Sequence, residues 1–119
     1  MKFMILINGN LEGWTGLQEN GSERLMAAHT QLFTELTASG ELVETHELGT
    51  RPAEARVVRV ADGAAVVTDG PFIEAKEIVA GYYIVDVASI DRATDIATRL
   101  IEAEFAPIEV RLIHDEPTG

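Results

Sequence analysis

The sequence contains no cysteine. That excludes disulfides, thiolate metal sites and a thiol nucleophile. Basic residues are scarce: 9 lysines and arginines stand against 20 acids, a formal net charge of −11. A nucleic-acid reader needs a basic face to neutralise phosphates, and an anionic membrane surface attracts the same charge. Both partners are therefore disfavoured. The acids are scattered rather than gathered in a tail, which reads as a solvated surface. Long hydrophobic runs are also missing. Phe3 to Ile7 is too short for a signal-peptide core and ends in Asn8-Gly9-Asn10. No stretch approaches transmembrane length. A cytoplasmic protein is the expectation. No serine sits in a nucleophile elbow, there is no phosphate loop, and nothing groups three ligands for a metal. No cofactor is called for.

What is present is one domain's worth of chain, 119 residues, with nearly half of them hydrophobic. Lys2 to Ile7 is apolar after the lysine and fits a strand buried on both faces. Asn8 to Gly21 is a polar, glycine-rich loop holding the single tryptophan, Trp14. A loop that long in a small domain is often functional. Asn20-Gly21-Ser22-Glu23 predicts a helix start. Leu25, His29, Leu32, Phe33 and Leu36 recur at helical spacing, and Gly40 stops the helix. Leu42, Val43 and Leu48 with polar neighbours predict a less buried strand, ended by Arg51-Pro52.

Ala55 to Asp69 reads as a hairpin turning at Asp62-Gly63, a strong two-residue turn signal. Its register places Ala61 opposite Ala64, Val58 opposite Val67, and Arg56 opposite Asp69. Ala80 to Val87 is a second strongly apolar strand. Ser89 can cap a second helix with Ala93, Ile96, Ala97 and Leu100 on its buried stripe. After Pro107, a last strand spans Ile108 to Ile113.

Without the hairpin the order is β-α-β-β-α-β, the ferredoxin-like α+β arrangement of one antiparallel sheet. Right-handed crossovers put the first and third of its strands in the middle. Those are the two strongly apolar runs. Two helices cover one face only. The other face would still show apolar side chains, which predicts a homodimer packed sheet to sheet.

The stretch Thr68-Asp69-Gly70-Pro71-Phe72-Ile73-Glu74-Ala75-Lys76-Glu77 closes the hairpin with a sharp corner. Glycine reaches positive φ without a Cβ clash, and Pro71 pushes Gly70 out of the helical region. This string resembles the signature of the DGPF branch of the YCII-related proteins. Met1 to Ile7 looks like that family's opening strand, Met26-Ala27-Ala28-His29 like its first-helix segment, and Gly81-Tyr82-Tyr83 like its following strand. The resemblance implies a ferredoxin-like domain of the dimeric α+β barrel type. It also implies a His–Asp pair in a pocket and an association of the branch with extracytoplasmic-function sigma factors. Two departures stand out. Ala80 replaces a common glycine, and Ile101 to Pro107 lacks the Asp-Pro that supplies the pocket aspartate in the broader family.

The candidate catalytic residues are His29, as general base, and Asp69, as the carboxylate orienting it. His29 read alone is equally a buried histidine bonded to backbone. Asp69 is equally a turn residue paired with Arg56. Trp14, Phe72, Tyr82 and Tyr83 are the candidate substrate-binding residues. The two tyrosines alternate faces, so at most one reaches a given pocket. Lys76 and Glu77 read as a solvated pair. His46 and His114 lie in polar, edge-like strands. Two functions follow. One is a cofactor-free enzyme of isomerase or lyase type acting on a small molecule. The other is a non-catalytic ligand-binding or regulatory module in a sigma-factor system.

Overall fold

The computed structural model describes residues 1–9, 22–70 and 78–114. Strand β1 is Lys2–Gly9 and helix α1 is Ser22–Ser39. Strand β2 is Leu42–Glu47, and a 3-10 turn at Pro52–Glu54 leads into β3, Arg56–Ala61, and β4, Ala64–Asp69. Then come β5, Ile78–Asp86, helix α2, Ile90–Ala97, a second 3-10 turn at Ile101–Glu104, and β6, Ile108–Leu112. Four strands form one antiparallel sheet in the order β2-β5-β1-β6. The whole is α+β and consistent with a ferredoxin-like fold. The two strongly apolar runs occupy its two central positions. Among the described residues, strands β3 and β4 pair only with each other.

Strand parity decides which side chains meet the helices, because successive residues point to opposite faces. Phe3, Ile5 and Ile7 of β1 and Tyr83 and Val85 of β5 are buried. The register sets Ile5 beside Tyr83 on one side and beside Val110 on the other. These residues close on Leu32 and Leu36 of α1 and on Ala93, Ile96, Ala97 and Leu100 at α2. Each large aliphatic side chain buried this way contributes about 1.5–3 kcal/mol. Within the single chain β1 is buried on one face: Met4 and Leu6, between its buried residues, are half-covered.

Local chemistry fixes the ends. Gly40 has φ +77°, and the next amide, from Glu41, returns to the carbonyl of Leu36 at 3.0 Å. That is the left-handed cap glycine makes without strain. The Ser89 hydroxyl accepts the amide of Arg92 at 3.2 Å and starts α2. Phe33 is not in the core: it lies beside the buried stripe and is 49 % exposed.

The β3–β4 ladder has the register read from the turn, with Ala61 opposite Ala64, Val58 opposite Val67 and Arg56 opposite Asp69. Asp62 (φ +51°) and Gly63 (φ +77°) form the turn itself. The hairpin closes at its base, where the Gly70 amide donates to the Ala55 carbonyl at 2.8 Å. Among the described residues, no helix is long and apolar enough to cross a membrane.

Candidate acid–base site

His29 shares the inward stripe of α1 with Leu32 and Leu36, so its ring points at the sheet. Its Nδ1 lies 2.5 Å from the Tyr83 hydroxyl, and the two rings stack with centroids 5.7 Å apart. Its Nε2 lies 2.7 Å from Glu102 Oε2. Tyr83 is on the helix-facing side of β5, opposite Thr45 of edge strand β2. Glu102 comes from the 3-10 turn after α2, which is pinned by buried Leu100 and Ala106 on either side. Glu104 in the same turn points the other way, to an ion pair with Arg24 of α1.

A carboxylate can only accept, so the Nε2 facing Glu102 carries a hydrogen. In the neutral ring, Nδ1 then accepts from the Tyr83 hydroxyl. In the imidazolium form both nitrogens donate, one to Glu102 and one to the phenol oxygen. Burial holds the Tyr83 phenol above its ordinary pKa, and the Glu102 charge adds to that, against a hydrogen bond from Thr45. Tyr83 is therefore a protonated phenol at neutral pH, able to donate or to pass a proton. Glu102 is nearly buried, and its second oxygen, Oε1, has no hydrogen-bond partner among the described residues.

The trio borders a cavity of about 580 Å³ between α1 and the β2–β5 edge of the sheet. The His29 side chain remains 28 % exposed, so it is reachable. Ile7, Leu25, Met26 and Phe33 supply apolar wall; Thr30, Thr45 and Glu47 supply polar wall. Gly81 lies in the wall where β5 meets β2. A Cβ there would stand 2.9 Å from the His46 carbonyl oxygen, so glycine permits the close approach of the two strands.

The structure brings together two of the six sequence candidates, His29 and Tyr83. Asp69 does not join them. It ends β4 with an exposed carboxylate, 3.6 Å from Arg56. Tyr82 points to the opposite face of the sheet, where its hydroxyl donates to Glu44 at 2.9 Å. That bond to a carboxylate raises the Tyr82 pKa. Trp14 and Phe72, like Pro71, Lys76 and Glu77, lie outside the described residues. The carboxylate that sequence reasoning missed is Glu102. It lies in the Ile101 to Pro107 segment, which lacks the Asp-Pro of the broader family but carries this acid instead. His46 is part of the β2 segment that borders the cavity, but its ring lies on the opposite face of the sheet, against Tyr82, with its Nε2 3.3 Å from Glu44. Among the described residues no group of three potential ligands could hold a metal ion.

The model of the YCII-related domain matches residues 1–116 of the chain. An uncharacterised protein of Rhizobium meliloti (strain 1021) is 36 % identical over 81 residues, 68 % of this chain. That match spans 64 % of the relative's own length.

Proposed function

The chain belongs to the YCII-related domain family, and from that premise we propose a cofactor-free enzyme that moves protons on a small molecule, of isomerase or lyase type. One observation carries this reading: both nitrogens of His29 are engaged, by Tyr83 and by Glu102, at the wall of an open cavity. A histidine kept only for packing needs one partner and no access. This one has two partners of complementary chemistry, and access as well.

His29 is the base. A proton accepted at the Tyr83 oxygen displaces the phenolic hydrogen onto Nδ1, and the resulting imidazolium donates to Glu102. Run backwards, the same chain returns a proton to a different atom of the bound molecule. Glu102 is a positioning residue that fixes the tautomer and stabilises the charged ring. The Asp69-Gly70-Pro71-Phe72 string supports placing the chain in the DGPF branch, where the acid beside the histidine is here a glutamate from the last turn.

The assembly belongs to the same reading. Met4, Leu6, Tyr82 and Ile84 form a half-buried apolar strip on the sheet face away from the helices. Arg111 and Glu109 flank it on β6. A second copy packed on that face would complete a dimeric α+β barrel. Light scattering at micromolar concentration should give twice the monomer mass; a monomer mass refutes the assembly.

The test of the chemistry is proton exchange. A panel of small carbonyl compounds in D₂O is followed by NMR for deuterium uptake with the wild-type protein, His29→Ala and Tyr83→Phe. Removal of a general base typically costs 10²–10⁴-fold in rate. Exchange that is equal in all three proteins refutes the assignment.

A further inference from the structure

We infer that this cavity selects against anions and takes an uncharged or cationic molecule with an apolar body. The inference rests on the acid–base reading only for the place where the molecule's reactive group sits. It follows from the charges around the cavity. Among the described residues, no lysine or arginine borders it. Six of the seven arginines are occupied elsewhere: Arg24 by Glu104, Arg51 by Glu54, Arg56 by Asp69, Arg92 by Glu41, Arg99 by Glu35 and Arg111 by Glu109. The sequence outside the described residues contains a single cation, Lys76.

His29, in the cavity wall, and His46, whose ring lies on the other face of the sheet, do not alter the balance. Protonated His29 would be neutralised by Glu102, and protonated His46 by Glu44. Glu47 is left over, exposed at the cavity edge, with no ion-pair partner among the described residues. A carboxylate or phosphate entering here would exchange water for walls with no matching charge, next to a net negative protein. An alcohol, a carbonyl or an amine meets no such penalty. The threonines and the Tyr83 hydroxyl offer hydrogen bonds to each, and the aliphatic wall buries the rest of the molecule.

Three probes share one ring system and differ in charge: tryptophol, tryptamine and indole-3-acetate. Their affinities are measured by NMR titration, following the His29 ring and the methyl groups of Ile7 and Leu25. The alcohol and the amine should bind about tenfold or more tightly than the acid, the effect of one unscreened like charge a few ångströms away. The gap should narrow as salt rises. Glu47→Lys, a change at an exposed position, should bring the acid to within about threefold of the alcohol. The proposal is overturned if the acid binds as tightly as the alcohol, or if none of the three binds at millimolar concentration. Acid binding that disappears in Lys76→Ala overturns it as well, by assigning the missing cation. The two readings separate cleanly. If the acid binds as tightly as the alcohol and perturbs the His29 ring while proton exchange still depends on His29, the charge inference falls and the relay stands. If the alcohol binds but no proton exchange depends on His29, the relay falls and the charge inference stands.

Discussion

His29 Nε2 stands 2.7 Å from Glu102 Oε2, although the two residues are 73 positions apart in the chain. The contact joins the middle of the first helix to the turn after the second. With one nitrogen facing an acceptor-only group, the ring has a defined tautomer. Long-range proton–nitrogen NMR of the neutral ring should show hydrogen on Nε2 and a lone pair on Nδ1. The reverse tautomer contradicts the relay. Glu102→Gln keeps an acceptor for Nε2 and should cost less than about 1 kcal/mol of stability, whereas Glu102→Ala should cost about 1–3 kcal/mol by leaving a part-buried N–H unpaired.

Tyr83 makes a prediction at alkaline pH. Its native phenol is held above the ordinary value of 10.0, chiefly by burial. The folded state thus keeps the proton more tightly than the unfolded chain does. Stability from this group is complete below about pH 10 and is lost as pH rises through the elevated native value. Chemical denaturation between pH 9 and 12 should show a decline that is smaller in Tyr83→Phe. An equal decline in both proteins would mean that Tyr83 ionises as freely in the fold as outside it.

The acid side is governed by a different pair. Two hydrogen bonds at 2.8 and 2.9 Å join the Arg92 guanidinium to Glu41, with Ser39 adding a third. Arg92 chiefly, then Ser39, hold the Glu41 carboxyl down at about 2. Its contribution is present above the ordinary value of 4.5 and disappears as pH falls through about 2. Arg92 is partly solvated, so Glu41→Gln should cost only about 1–2 kcal/mol at pH 7. The difference from wild type should vanish near pH 2. A difference that persists there points to packing instead.

Gly81 links strand packing to the cavity. Alanine at this position would press on the His46 backbone at 2.9 Å, and backbone cannot rotate away. Gly81→Ala should destabilise by about 1–3 kcal/mol, the range for an overpacked site. It should also weaken any ligand in the cavity, because β2 must move. A crystal structure of the variant with β2 unmoved and unchanged melting temperature would contradict this.

Much of the frame is legible in the sequence. Continuous apolar runs place β1 and β5, helical-period stripes place α1 and α2, and Asp62-Gly63 fixes the hairpin register down to Arg56 and Asp69. Those signals are local, as the turns and stripes themselves are. His29 was visible for the same reason, since it sits on a stripe with Leu32 and Leu36. Its partners were harder. Tyr82 and Tyr83 are adjacent, and only the sheet's facing decides which one meets the helix. Glu102 and Glu104 lie two residues apart, and the 3-10 turn sends one inward to His29 and the other outward to Arg24. Asp69 had a strong local signature but is committed to its hairpin. The motif's described acid, Asp69, therefore does not supply the carboxylate on the imidazole.

The hydrogen bond from Gly70 to Ala55 closes the hairpin at its root. The chain leaves the neighbourhood of the main sheet and returns to almost the same point. Fourteen intervening residues, numbers 56 to 69, form the β3–β4 excursion. Its valines Val58, Val60, Val66 and Val67 are exposed, so trimming them removes little buried surface. Loop-closure entropy rises only slowly with length, so a shorter or longer ribbon at this root alters the stability of the four-stranded sheet little. Removing or adding a whole pair of residues at the tip of this arm keeps the alternation of its strands and leaves the cavity, on the main sheet, its shape.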